Sequence, residues 1–182
     1  MAICVKVVSA CAILCLVGAR AGSPSSAPAK SGSAPPAGLR LTIDRVSRES
    51  AEVSFENADK NPIVLNLGVM LGNGRTLIPE QIHFVVADAS GKSRELRWKG
   101  YGVAGRLDDF LVPLMPTAKY SMTLSLRDYV EVDDRKSASL APGDTIHAAF
   151  EGVAPSHINE GAIPDLPIWK GKIMSDSTSL AD

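Results

Sequence analysis

Aromatic residues and histidines are scarce in this chain, and neither positive nor negative charge is in clear excess. Phe, Trp and Tyr together make up 5% of its 182 residues, so a hydrophobic core has to be built mainly from Val, Leu, Ile and Ala. The 19 basic and 20 acidic residues almost cancel, which leaves a net charge of −1. Such a balanced chain lacks the broad positive field with which proteins attract nucleic acids or anionic membranes. We therefore expect no nucleic-acid partner.

Cysteine is confined to the beginning of the chain, at Cys4, Cys11 and Cys15. The apolar run Val7–Gly18 follows Lys6 and precedes a small-x-small site that ends at Ala21. This arrangement is typical of a secretory signal, and the run is shorter than the roughly 20 residues that span a bilayer as a helix. We predict a signal peptide over residues 1–21, cleaved near Ala21. The mature chain would be cysteine-free, secreted or periplasmic, and without a transmembrane span.

Motifs for catalysis and for metal or cofactor binding are missing from the sequence. The three histidines form no HExxH and no pair at metal-ligand spacing, and GxSxG does not occur. Acidic residues cluster at Asp108–Asp109 and between Asp128 and Asp134, without EF-hand spacing. We interpret both clusters as solvated loops, with calcium binding as the alternative. No cofactor is expected, and the sequence favours a protein that is not an enzyme.

The composition changes sharply after the predicted signal peptide. Residues 22–38 are Gly, Ser, Pro and Ala, except for Lys30. Such a segment has no large apolar side chain to bury, so it is predicted to be a disordered linker. A globular domain is predicted over residues 39–175, followed by a polar C-terminal tail over residues 176–182.

Within the predicted domain, apolar and polar residues alternate with a period of two. The clearest run is Tyr120–Arg127, and turn residues such as those of Asp88–Lys92 separate the runs. This pattern predicts an all-β protein: an immunoglobulin-like antiparallel β-sandwich of about seven to eight strands, with a small barrel as the alternative. Pro113 lies within a strand-like run, which predicts an edge strand or a bulge at that position. Further alternating runs begin at Leu39, Ala51, Ile63, Ile82 and Ile146.

A glycine-rich segment after one of the two tryptophans has the composition of a contact surface. It combines three glycines with aromatic, cationic and acidic side chains, which are frequent in binding loops. The alternative is a plain glycine-rich connection whose tryptophan packs into the core, as strand tryptophans usually do. The candidate binding residues are Trp98, Tyr101, Arg106, Asp108 and Asp109.

Four short phrases combine a turn or an aromatic residue with an alternating strand. They are Asn61-Pro62-Ile63, Tyr120–Tyr129, Leu140–Phe150 and Trp169–Lys172. In these phrases the chain resembles uncharacterised secreted immunoglobulin-like β-sandwich proteins of bacteria. It is also similar to the non-catalytic sandwich domain of deuterolysin-like metallopeptidases. The resemblance implies an exported sandwich but no peptidase activity, because the HExxH of those enzymes is absent.

Three functions remain open at the level of sequence. The first is an exported, non-catalytic binding or accessory module whose partner is a protein of the cell envelope or extracellular space. The second is a protease-inhibitor-like sandwich that presents one loop. The third is an enzyme whose site is assembled from loops and carries no recognisable motif. The ligand and the oligomeric state are left open.

Overall fold

The structure, a computed structural model, describes residues 38–72, 74–100, 102, 104–133, 135–156 and 166–180. The predicted signal peptide and all but the last residue of the predicted linker lie outside the described residues. No helix among the described residues is long and apolar enough to cross a membrane.

The described residues form short strands and a single 3-10 turn at Leu126–Asp128. The strands are β1 (Leu39–Val46), β2 (Ser50–Asn57), β3 (Ile63–Leu71), β4 (Leu77–Ile78), β5 (Ile82–Ala87), β6 (Ser93–Trp98), β7 (Leu107–Leu114), β8 (Lys119–Ser125), β9 (Tyr129–Glu131), β10 (Thr145–Gly152), β11 (Gly171–Met174) and β12 (Thr178–Ser179). The number of described strands exceeds the seven or eight expected, because three of them are only two or three residues long.

The strands pair in three antiparallel sheets. The first has the order β1-β2-β8, and the second has the order β4-β3-β7. The third and largest has the order β11-β10-β5-β6-β9, with β12 also paired to β10. Among the described strands, each sheet has an unpaired edge strand on both sides, so the sheets are open. These features confirm the predicted all-β, antiparallel sandwich.

One hydrophobic core joins the sheets, and aliphatic side chains dominate it as the composition required. The alternation works as expected on β2, where Ala51, Val53 and Phe55 are fully buried. Phe55 meets Phe150 of the large sheet edge to face, with ring centroids 5.1 Å apart. Such aromatic pairs contribute about 0.5–1.5 kcal/mol beyond their buried area, so this contact helps to hold the two sheets together.

Strand β7 forms the edge of its sheet, as Pro113 predicts. Among the described strands it pairs with β3 alone, and Pro113 is exposed there. The bulge lies on the partner strand, where Leu67 and Gly68 oppose the single residue Phe110. Gly68 has φ +137°, and a Cβ atom at this position would lie 2.2 Å from the carbonyl oxygen of Ile78. Only glycine fits this bulge. The continuous apolar sequence of β3 gives no sign that a bulge lies there.

The C-terminal region is more ordered than a polar tail. Thr178–Ser179 forms β12 against Thr145 and Ile146 of β10, and Leu180 is buried. The paired strands therefore extend beyond residue 175, where the predicted domain ends. Trp169 precedes β11 and stacks on Phe150, with 5.4 Å between the ring centroids.

Candidate functional site

Trp98, the first candidate binding residue, ends strand β6 and packs against the core. Its ring meets Tyr129 edge to face, with 5.5 Å between the centroids, and Tyr129 is fully buried. This is the packing that the alternative interpretation of Trp98 expected. The indole N–H of Trp98 and the hydroxyl of Tyr129 are both buried, and neither has a hydrogen-bond partner among the described residues.

Arg106 and Asp108 form a pair at the opposite end of the glycine-rich segment. The Arg106 Nε atom donates a hydrogen bond to Asp108 Oδ1 over 2.7 Å, and the Arg106 side chain is 66% exposed. The backbone carbonyl of Arg106 also accepts a hydrogen bond from the Gly72 N–H. The two charges neutralise each other on the surface, where such a pair contributes little to stability.

Asp109 lies inside the domain. Its carboxylate accepts hydrogen bonds from Asn66 Nδ2 at 3.2 Å and from the backbone N–H of Ser156 at 3.1 Å. Asn66 in turn accepts a hydrogen bond from the N–H of Gly68, so Asp109 supports the β3 bulge. Tyr101 lies outside the described residues. The four described candidates therefore do not form one surface: Trp98 and Asp109 pack inward, and Arg106 and Asp108 face outward together.

A cavity of about 400 Å³, here called the edge cavity, opens beside Trp98 at the β9 end of the large sheet. Arg97 and Val130 are partners across β6 and β9, so their side chains share the outer face of the sheet. Alternation carries Val132 to the same face. The edge cavity is lined by Arg97, Trp98, Lys99, Gly100, Val130, Glu131, Val132 and Arg135.

The charges around the edge cavity differ in how they are paired. Arg97 lies 2.7 Å from Glu95 Oε1, and Lys99 lies 2.7 Å from Asp128 Oδ1. Arg135 has no ion-pair partner among the described residues. Glu131, the one carboxylate among the described lining residues, lies 3.2 Å from the guanidinium of Arg94. Within the described part of the edge cavity, Arg135 is therefore the one cation that no carboxylate offsets.

A row of charged groups on the outer face leads to the edge cavity. His83 Nε2 and Arg97 both approach Glu95 Oε1, at 3.5 and 2.7 Å. Further along the row, Lys172 lies 3.0 Å from Glu151. The pKa of His83 is lowered, chiefly by burial and then by Arg97, while Glu95 and Glu151 oppose the shift. The side chain of His83 is only 14% exposed.

The acidic clusters are largely engaged by basic residues. Asp128 pairs with Lys99, and Glu131 lies near Arg94. Among the residues that the structure describes, no three His, Cys, Asp or Glu side chains converge as metal ligands. Calcium binding by these loops stays untested, because Asp134 lies outside the described residues.

A larger cavity, of about 510 Å³, lies where the ends of β1 and β12 meet. Its best candidate for ligand binding is Asp44, the bulged residue of β1. The Asp44 carboxylate already accepts hydrogen bonds from Ser54 and from Lys119. These bonds, that of Ser54 first, lower the pKa of Asp44. The edge cavity is therefore the better candidate, because Arg135 at its rim is uncommitted among the described residues.

The comparisons with known proteins identify no family. No protein-family model matches the chain, and a search of curated proteins finds no significant similarity. The resemblance to secreted bacterial sandwich proteins therefore remains a prediction.

Proposed function

We propose that this chain is an exported, non-catalytic binding module with an immunoglobulin-like sandwich, and that the edge cavity is its binding site. The observation that carries the proposal is the cavity itself, with the apolar floor of Val130 and Val132 beside three cations. Its volume falls within the range of known ligand pockets, and Val132 is 49% exposed. Apolar area beside an uncommitted cation is a typical composition of a contact surface.

The chemistry of the lining supports binding over catalysis. The described residues of the edge cavity include no serine, cysteine or histidine that could act as a nucleophile or a proton shuttle. Glu131, at 3.2 Å from the guanidinium of Arg94, is engaged in an ion pair.

Export is proposed on sequence alone, from the N-terminal signal and the resemblance to secreted sandwich proteins. Expression of the full chain in a bacterial host with a periplasm, followed by intact-mass measurement, tests it. We expect a periplasmic or secreted product that begins at Gly22. A product that keeps Cys4, Cys11 and Cys15 would contradict this part of the proposal.

The binding function is tested by changing the floor of the edge cavity. Purified protein is immobilised and used to capture partners from the cell envelope and secreted fractions. Val132→Asp places a charge on the floor, whereas Met115→Asp, in the turn between β7 and β8, changes a side chain that is 59% exposed and serves as the matched control. We expect a partner that wild type and Met115→Asp retain and that Val132→Asp loses. Equal retention by all three proteins would rule out the edge cavity as the binding site.

A further inference from the structure

We infer that the edge cavity binds an acidic segment of a partner protein, with a partner carboxylate on Arg135 and a neighbouring apolar side chain on Val130 and Val132. This inference rests on the proposed function and specifies its ligand.

The arrangement of charges selects a single carboxylate. Arg97 and Lys99 each face a carboxylate of this chain at 2.7 Å, so their charges are already offset. Arg135 has no such partner among the described residues. A guanidinium offers two parallel N–H donors to a carboxylate, which makes this pair both strong and directional.

The backbone around Arg135 is well defined by hydrogen bonds. Its N–H donates to the carbonyl of Glu131 over 2.9 Å, and the N–H of Val132 donates to the carbonyl of Glu95 over 3.1 Å. Glu131 also donates its N–H to the carbonyl of Lys136. These bonds hold the turn that carries Arg135 against the end of the sheet. The backbone that carries Arg135 is therefore held in place before a ligand binds, which reduces the entropy lost on binding.

A polyanionic surface is a poorer fit than an acidic peptide. Nucleic acids and anionic membranes are bound through many cations, each of which contributes separately. The described residues of the edge cavity offer one uncommitted cation, Arg135, and the whole chain carries a net charge of −1. Its apolar floor adds a preference that a phosphate surface does not use. One carboxylate next to one apolar side chain matches both features.

Selection from a library of short random peptides displayed on phage tests the inference without knowledge of the partner. We expect the wild-type protein to enrich peptides that carry Asp or Glu next to Leu, Ile, Val or Phe. An enriched peptide is then synthesised with its acid intact and with Gln or Asn in its place. Because the pair would form at the exposed Arg135, where an ion pair contributes only modestly, the amide version should bind about two- to fivefold more weakly in an anisotropy titration.

The variant Arg135→Gln separates this inference from the proposed function. It should weaken binding of the acidic peptide about two- to fivefold and leave binding of the amide peptide unchanged. Arg45→Gln, an exposed arginine on β1 of another sheet, is the matched control and should change neither.

Four results would overturn the inference. They are no enrichment of acidic peptides, equal affinity of the acid and amide peptides, equal losses in Arg135→Gln and Arg45→Gln, and binding to anionic phosphatidylserine vesicles in place of peptide. If Val132→Asp still loses a captured partner, the proposed function stands with another ligand. If one of these four results is found and Val132→Asp also retains the captured partner, both the inference and the proposed function fail.

Discussion

At the scale of single residues, the buried polar atoms around Trp98 are the least expected feature. A buried hydroxyl or N–H without a partner loses its hydrogen bonds to water and gains none in return. The Tyr129 hydroxyl is buried and has no hydrogen-bond partner among the described residues. Burial also raises the pKa of Tyr129. The ring itself is well used, since it meets both Phe84 and Trp98 edge to face.

Tyr129→Phe tests whether that hydroxyl is truly without a partner. The ring contacts remain and only the hydroxyl is removed, so the free energy of unfolding should stay the same or rise by about 1 kcal/mol. Urea titration followed by far-UV circular dichroism measures it. Tyr120→Phe, at a half-buried ring, is the control and should stay within about 0.5 kcal/mol of wild type. A clear loss in Tyr129→Phe would mean that the hydroxyl has a partner.

The adjacent residues Asp108 and Asp109 provide a matched pair of variants. Asp109→Ala should lower the free energy of unfolding by about 1–3 kcal/mol, because it leaves the Asn66 amide and the Ser156 N–H without their acceptor. Asp108→Ala removes only a surface ion pair and should change stability by about 0.5 kcal/mol or less. If the two variants lose the same amount in a thermal or urea titration, the assignment of Asp109 to the bulge is wrong.

At the scale of elements, close packing at strand ends decides where glycine is required. Gly152 ends β10 directly against Trp169, whose ring stacks on Phe150 of the same strand. A Cβ atom at residue 152 would lie 2.4 Å from the Trp169 ring and 2.6 Å from its carbonyl oxygen. The segment before β11 therefore approaches β10 as closely as it does only because residue 152 has no side chain.

Gly152→Ala is expected to destabilise the protein strongly. The added methyl group overlaps both the ring and the backbone of Trp169, so relief requires the segment before β11 to shift, at a cost of about 1–3 kcal/mol or more. Near-UV circular dichroism and thermal unfolding report the change. Gly102→Ala is the control, since no described residue beyond its chain neighbours has an atom within 4 Å of the added methyl group, and it should leave the midpoint unchanged. An unchanged midpoint in Gly152→Ala would refute the close contact.

At the scale of the whole molecule, the outer face of the large sheet links the charge state of His83 to stability. Burial lowers the pKa of His83 from the ordinary value of 6.5. As the pH falls, the unfolded chain therefore takes up this proton before the folded chain does. The stability contributed by neutral His83 is complete above pH 6.5 and is lost as the pH falls through the lower pKa of the folded state.

We accordingly expect the free energy of unfolding to decrease between about pH 7 and about pH 5.5, a range above the titration of most carboxylates. His83→Gln should flatten this dependence. Glu95→Gln removes a carboxylate that raises the pKa of His83, so the decline should continue to lower pH. Urea titrations across the range measure all three proteins. A slope that His83→Gln leaves unchanged would assign the dependence to other groups.

Local periodicity by itself determined several of the longer strands and, where a strand has one polar face, which of its sides is buried. On β2 and β5 the predicted apolar face is the buried face, and Asp88–Lys92 is the turn between β5 and β6. The run Tyr120–Arg127 holds as a strand to Ser125, after which the 3-10 turn begins. Pro113 predicted an edge strand or a bulge, because a residue without an N–H cannot donate to a second neighbour, and the structure shows the edge strand.

Only the tertiary structure decided which strands are neighbours and in what register they pair, because alternation with a period of two is the same for every possible partner strand. The register of β5 and β6 sets Val85 opposite Glu95, which brings His83 next to that carboxylate. The register of β6 and β9 sets Arg97 beside Val130 and so forms the edge cavity. Asp109 was predicted as a binding residue from the loop-like composition of its segment. In the structure its carboxylate is buried and accepts a hydrogen bond from Asn66 of the β3 bulge. Hydrogen bonds between segments distant in sequence decide these positions, and such bonds cannot be predicted from a local sequence pattern.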